Sequence, residues 1–165
     1  MPKFEHIRHK SPRELAAPRE LVLACAPLRS SVNLSRIARA AGCCGVTRIV
    51  CAEQAKLDPK IARDAATSIT LECHRSLPPV LNKFRQDGYT IVGLEQTSGS
   101  TDLHSYHFDC RTLLVIGNER QGLTNELLAE LDVVIEIPVW GMPFSYNVAT
   151  ATAMALYEYC RQYPE

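Results

Sequence analysis

Short apolar runs alternate with stretches of helical periodicity along this chain. Runs at Leu21 to Ala26, Arg48 to Cys51, Thr90 to Leu94, Leu113 to Ile116 and Val133 to Ile137 predict strands. Helical spacing predicts a first helix after Asn33, with Leu34, Ile37 and Ala41 on one face and Gly42 with Gly45 as its stop. A second falls near Asp58 to Ala66 and a third from about Leu77 to Asp87, ending at Gly88. The last, about Asn147 to Gln162, aligns Val148, Ala151, Ala155 and Tyr159. Its Ala and Thr run lets another backbone approach closely, and such an apolar face, if exposed, calls for a second copy to cover it. The alternation implies an α/β fold, a mostly parallel sheet flanked by helices. Residues 1–20, polar and holding Pro2, Pro12 and Pro18, read as an N-terminal arm, and residues 21–165 as a single domain.

Composition narrows the function classes. Eighteen Lys and Arg balance eighteen Asp and Glu, which excludes binding of nucleic acid through bulk charge but leaves room for a local basic face. Within the arm, Lys3, Arg8, Lys10, Arg13 and Arg19 outnumber the acids and are candidates for phosphate contacts, or else for a solvated arm packed on a partner chain. No apolar run approaches the roughly 20 residues of a membrane span, and the charged start lacks the apolar core of a signal peptide. The seven cysteines include no C-x-x-C pair and mostly sit in apolar segments, which fits a reducing cytoplasm. Cys73 beside His74 is at best half a metal site, so no metal is expected.

Three polar junctions follow predicted strands. The first is Asn33-Leu34-Ser35-Arg36-Ile37-Ala38-Arg39, where Asn33 sits at a strand's carboxyl end and is placed to cap a helix. Arg36 and Arg39 share a helix face, which serves either as a phosphate grip or as an ordinary solvated surface. The second is Gly117-Asn118-Glu119-Arg120-Gln121-Gly122-Leu123-Thr124. Leu123 replaces the lysine of a nucleoside-triphosphate loop, and the chain has no G-x-G, so both common nucleotide fingerprints fail; a ligand loop and a helix-entry turn remain. The third runs from Ile137 to Ala149, with Ser145 or Asn147 as possible helix caps and Trp140 with Phe144 as possible loop packing. Three such junctions in one small sheet suggest one pocket built from loops at a common edge.

In this order and spacing, the three stretches resemble the motifs of the SpoU/TrmH branch of the SPOUT RNA methyltransferases. Asn33, Ile37 and Arg39 match N-x-G-x-I-x-R; Gly117, Glu119 and Gly122 match G-x-E-x-x-G. Ile137, Pro138, Gly141, Ser145, Asn147 and Val148 match the third motif. The stretch Gly88 to Thr97, with Gly117 to Arg120, looks closest to members that methylate a guanosine ribose in the tRNA D-loop. Ser35, Val139 and Tyr146 depart from the usual glycine, methionine and leucine. A hydroxymethyl at Ser35 would narrow the approach of RNA, and Tyr146 adds a ring beside the expected adenine.

The resemblance implies a C-terminal trefoil knot and a homodimer with a shared pocket. It also implies methyl transfer from S-adenosylmethionine to a ribose 2′-hydroxyl of RNA, tRNA before rRNA, without a metal. The implied cofactor-binding set is Leu94, Gly117, Asn118, Glu119, Gly122, Ile137, Val139, Ser145, Tyr146 and Asn147. The implied catalytic set is Arg39, Asn33, Glu119, Ser145 and Asn147, with Arg39 reaching across the dimer as a clamp. A non-catalytic RNA- or cofactor-binding protein of the same fold is the competing class, and retention of Arg39, Glu119, Ser145 and Asn147 speaks against it.

Overall fold

Every strand pairing in the sheet is parallel. The computed structural model describes residues 2–165. Its strands are β1 (Leu21–Cys25), β2 (Arg48–Ala52), β3 (Thr70–His74), β4 (Thr90–Leu94), β5 (Thr101–Asp102), β6 (Thr112–Ile116) and β7 (Val133–Glu136), in the order β3-β2-β1-β6-β4-β7-β5. The register sets Leu23 opposite Leu114 and Val92 opposite Leu114 on the other side, so β6 is the central strand. The helices are α1 (Ser31–Cys43), α2 (Pro59–Ala62), α3 (Ala65–Ser68), α4 (Pro78–Gln86), α5 (Asn125–Ala129) and α6 (Val148–Gln162).

Both sheet faces are covered, which is why the central strands read as continuous apolar runs. Leu21, Leu23, Cys25, Leu114 and Ile116 face α1 and α6, while Val22, Ala24, Leu113 and Val115 face α4 and α5. α1 stops as its glycines predict, with Gly45 at φ +73° and its N–H donating to Gly42 O at 3.1 Å. The single helix expected over Asp58 to Ala66 is instead two short ones, broken where Arg63 adopts φ +58°.

Ser35 corrects an expectation. It is fully buried, and its hydroxyl accepts a hydrogen bond from Asp58 N at 2.8 Å, pinning the entry to α2 rather than facing an RNA channel. The face of α6 is corrected too. Ala155 and Tyr159 are buried within the chain against α1 and the sheet, with Thr152 and Leu156, so the stripe through Val148, Ala151, Ala155 and Tyr159 is not an open dimer face. The outer side of α6 instead presents Tyr157, 73% exposed, near Trp140 at 88%.

The arm divides. Its first residues are exposed, but Arg19 is half-buried, donating from Nε to Cys44 O and from Nη1 to Tyr163 O, both at 2.6 Å, with its guanidinium over the Tyr159 ring. Arg19 is therefore a strut joining the end of α1 to the end of α6. Arg19→Ala is expected to cost about 2 kcal/mol and to lower Tm by roughly 4–8 °C. Calorimetry checks the loss, and an RNA-binding salt slope equal to that of the wild type would show that Arg19 contacts no phosphate.

Candidate active site

Ligand sites in parallel sheets gather beyond the carboxyl ends of the strands, and here β4, β6 and β7 end together. Beyond β6 the chain turns through Gly117 to Gly122. Asn118 and Gly122 exchange two backbone hydrogen bonds, at 3.1 and 2.9 Å, closing the loop on itself. Asn118 Oδ1 accepts from Arg120 N at 2.9 Å and Gln121 N at 3.2 Å, while its Nδ2 donates to Pro27 O at 2.8 Å. Gly117 is fixed by space, since a Cβ there would stand 2.4 Å from Gly122 C and 2.6 Å from Leu123 N. The stretch is thus a loop closed on itself and not the entry turn of the helix that follows, since α5 is capped separately by Thr124, whose hydroxyl accepts from Leu127 N.

Glu119 ties this loop to α1. Its carboxylate accepts from Arg29 N at 2.9 Å, Ser30 N at 3.1 Å and Asn33 Nδ2 at 3.1 Å. Partial burial pushes its carboxyl up, but the hydrogen bonds from Arg29, Asn33 and Ser30 win and hold it below the usual carboxylate range. Glu119 is therefore an ionised girder at neutral pH. The cap of α1 is Ser30, whose hydroxyl accepts from Asn33 N, so Asn33 is not the cap and its side chain is free for other work. Asn33 Oδ1 accepts from Asn147 Nδ2 at 3.2 Å, and Asn147 Oδ1 in turn caps α6 through Ala149 N and Thr150 N at 2.9 and 3.3 Å. One chain of hydrogen bonds, Glu119 to Asn33 to Asn147, joins all three junctions.

Beside it lies a cleft of about 260 Å³. Leu94, Gly117, Asn118, Glu119, Gly122, Ile137, Val139, Ser145 and Tyr146 all line it. Asn147 and Asn33 stand just outside the lining. The segment 138–146 makes no backbone–backbone hydrogen bond among the described residues, so its non-proline amides and its carbonyls other than Phe144 O, which accepts from Gln96 Nε2, are open to a ligand. Trp140 and Phe144 do not pack the loop, being 88% and 73% exposed. Arg39 is exposed and lies outside the cleft. Six residues beyond Asn33, it is about 9 Å further along α1 and rotated by about 120° from it. Glu95, Gln96, Arg120, Gln121 and Glu136 also line the cleft and were missed; the polar Glu95-Gln96-Thr97 directly after an apolar strand was the available signal. Among the described residues, no three His, Cys, Asp or Glu side chains are grouped as a metal would require.

The model of the SpoU rRNA methylase family matches residues 20–157. The chain belongs to that family. Among SpoU-related proteins, the tRNA (guanosine(18)-2′-O)-methyltransferase of Aquifex aeolicus is 29% identical over 164 residues, covering 96% of this chain and 78% of that enzyme. The mouse tRNA (guanosine(18)-2′-O)-methyltransferase TARBP1 is 44% identical over 82 residues, half of this chain. This chain spans only 5% of the mouse protein and 6% of its yeast counterpart. Among solved structures, the Aquifex aeolicus TrmH/SpoU tRNA-modifying enzyme superposes with a TM-score of 0.83 at 28% identity, covering 88% of this chain and 76% of that one. The SpoU methyltransferase AviRb of Streptomyces viridochromogenes, solved with AdoMet, gives 0.78 at 28% identity, covering 90% of this chain and 63% of that one. In this SpoU chain, as in any parallel sheet, sequence-distant loops meet because their strands are neighbours: β6 pairs with both β1 and β4. No helix among the described residues is long and apolar enough to cross a membrane.

Proposed function

We propose that this chain is an RNA ribose-2′-O-methyltransferase that uses S-adenosylmethionine and acts on a tRNA guanosine, working as a homodimer in the reducing cytoplasm. The observation that carries this reading is the Glu119–Asn33–Asn147 chain beside a cleft whose third wall, 138–146, leaves its backbone unpaired. The residues present fit the cofactor, because the third loop, without backbone–backbone pairing, and the tightly closed Gly117–Gly122 turn both line the cleft and offer close backbone approach to an adenosyl group. Leu94, Gly117, Asn118, Gly122, Ile137, Val139 and Tyr146 would hold it. Bound there, it supplies an electrophilic methyl group on a sulfonium.

The chain's own groups then place the ribose hydroxyl in line and handle its charge. Glu119, already accepting three hydrogen bonds, serves to fix the entry to α1 rather than to take a proton. Asn33 and Asn147 orient each other, and exposed Ser145 faces the incoming nucleotide. The planar fork of Arg39, with five donors and no acceptor, makes its role a bidentate clamp on phosphate and ribose that stabilises a developing alkoxide. Its rotation away from Asn33 supports delivery to the cleft of a second copy. The exposed groove of Pro138, Trp140, Tyr146, Met154 and Tyr157 offers the apolar surface for that copy. A trefoil knot at the return from β7 to α6 belongs to the same proposal.

The test is methyl transfer from labelled cofactor to separate tRNA and rRNA pools, followed by mapping of the modified nucleotide. Label at a guanosine 2′-oxygen of tRNA is expected. Cofactor binding without transfer to either pool would leave a binding protein, and sedimentation showing only the 18.4 kDa species would remove the shared pocket.

A further inference from the structure

The six residues after β4 reach three walls of the cleft. Glu95 Oε2 accepts from Leu123 N at 2.9 Å, and its Oε1 accepts from Gln96 N at 3.0 Å. A Cβ on Gly122 would stand 2.2 Å from Glu95 Oε2, so the bare α-carbon of Gly122 and the Glu95 carboxylate occupy complementary space. Gln96 turns the other way. Its Nε2 donates to Phe144 O at 3.1 Å, a side-chain tether on the 138–146 segment that otherwise lacks backbone pairing. Ser100 Oγ lies 2.8 Å from Glu136 Oε2, at the carboxyl end of β7.

We infer that Glu95 and Gln96 are positioning residues that clasp the second and third loops into a cofactor-ready cleft. This rests on the cleft being the S-adenosylmethionine site. Neither side chain is needed to build the sheet: both residues lie past the end of β4, and Glu95 joins the sheet only through its backbone N–H, which donates to Ile135 O at 3.0 Å. Each acts on a different loop. Glu95 supplies the acceptor for the first amide after Gly122, which the Asn118–Gly122 pair leaves unserved. Gln96 holds Phe144, next to Ser145 and Tyr146 of the lining. Removing either lets one wall sample more conformations, and ordering it again on binding is charged against affinity.

The test pairs amide hydrogen exchange of the cofactor-free protein with calorimetric cofactor binding. Glu95→Ala is expected to speed exchange over 117–123, whereas Gln96→Ala, which frees a carbonyl in a segment without paired amides, is expected to leave exchange unchanged and to lower the fluorescence anisotropy of Trp140, the chain's single tryptophan. Both are expected to raise the cofactor Kd, Glu95→Ala by at least about tenfold and Gln96→Ala by roughly threefold or more, following the larger value of a hydrogen bond to a charged group. Gln96→Lys keeps a donor of similar reach and is expected to restore most of the affinity. In Glu95→Ala, RNA affinity measured without cofactor stays within about twofold, because Glu95 holds the second loop and the phosphate clamp assigned to Arg39 lies outside the cleft. Unchanged exchange over 117–123 in Glu95→Ala together with unchanged Trp140 anisotropy in Gln96→Ala overturns the clasp, as does a loosened loop with wild-type cofactor affinity. A general loss of protection across the sheet would overturn it in favour of a purely structural role. Wild-type protein that binds no cofactor overturns the proposed function itself and takes this inference with it.

Discussion

Arg39→Ala is expected to lower methyl transfer by roughly 30- to 1000-fold, equivalent to about 2–4 kcal/mol of lost transition-state stabilisation, while leaving cofactor affinity within about twofold. Arg39 is exposed on α1 and absent from the lining of its own chain's cleft, so it has no route to the cofactor there. Arg39→Lys is expected to fail as well, since a point charge does not reproduce the planar fork. Mixing provides the sharper measurement. Asn147 sits on the rim of its own cleft and Arg39 points away, so Arg39→Ala and Asn147→Ala chains, each inactive alone, would regain activity as heterodimers with one intact site. After full subunit exchange, about a quarter of wild-type turnover is expected. No recovery with exchange verified would place both residues in one chain's site. An Arg39→Ala protein with normal turnover would remove Arg39 from the chemistry.

Gly117→Ala is expected to weaken cofactor binding by roughly ten- to hundredfold, in line with overpacking costs of about 1–3 kcal/mol. The atoms a methyl would strike, Gly122 C and Leu123 N, are backbone, and the reciprocal Asn118–Gly122 bonds leave the loop no slack to move aside. The sheet carries no other demand on that position, so circular dichroism should stay native while calorimetry reports the loss. Gly93→Ala is the contrasting case: its Cβ would meet Leu131 Cδ1 at 2.3 Å and Leu123 Cδ1 at 3.1 Å, the ends of flexible side chains that can turn, and not backbone. Equal cofactor affinity in Gly117→Ala and wild type would show that the loop does not approach the ligand closely.

The central strands were legible because burial on both faces makes them near-continuous apolar runs. β3 was not. Its Thr70-Leu71-Glu72-Cys73-His74 pairs on one side only, and Glu72 spends its charge on Arg48 Nε at 2.6 Å, so the edge strand looks like a loop. β5 has two residues and α5 five, too few for any period to register. On α6, alanines suit both core and surface, which is why the buried face was assigned to a partner. Arg19 was misread for a different reason: its carbonyl partners lie 25 and 144 residues away, beyond any local pattern. The site was legible through the spacing of its three junctions, yet Ser35 shows the limit, since a departure from a motif says nothing about which neighbour receives the hydroxyl.

The central place of β6 governs when activity can appear during folding. Leu21 lies opposite Thr112 and Thr90 opposite the same residue, so β1 and β4 are held together only after a strand made much later in synthesis slides between them. Long-range parallel pairing of this kind is slow, because closure entropy is spent before contacts are gained. A ribosome-bound chain lacking β6 has neither the second loop nor Glu119, so Arg29, Ser30 and Asn33 are without their acceptor, and one that stops before α6 has no helix for Asn147 to cap. Maturation is therefore all-or-none: substitutions that weaken β6, such as Leu114→Ala, should reduce the number of working molecules rather than the rate of each one.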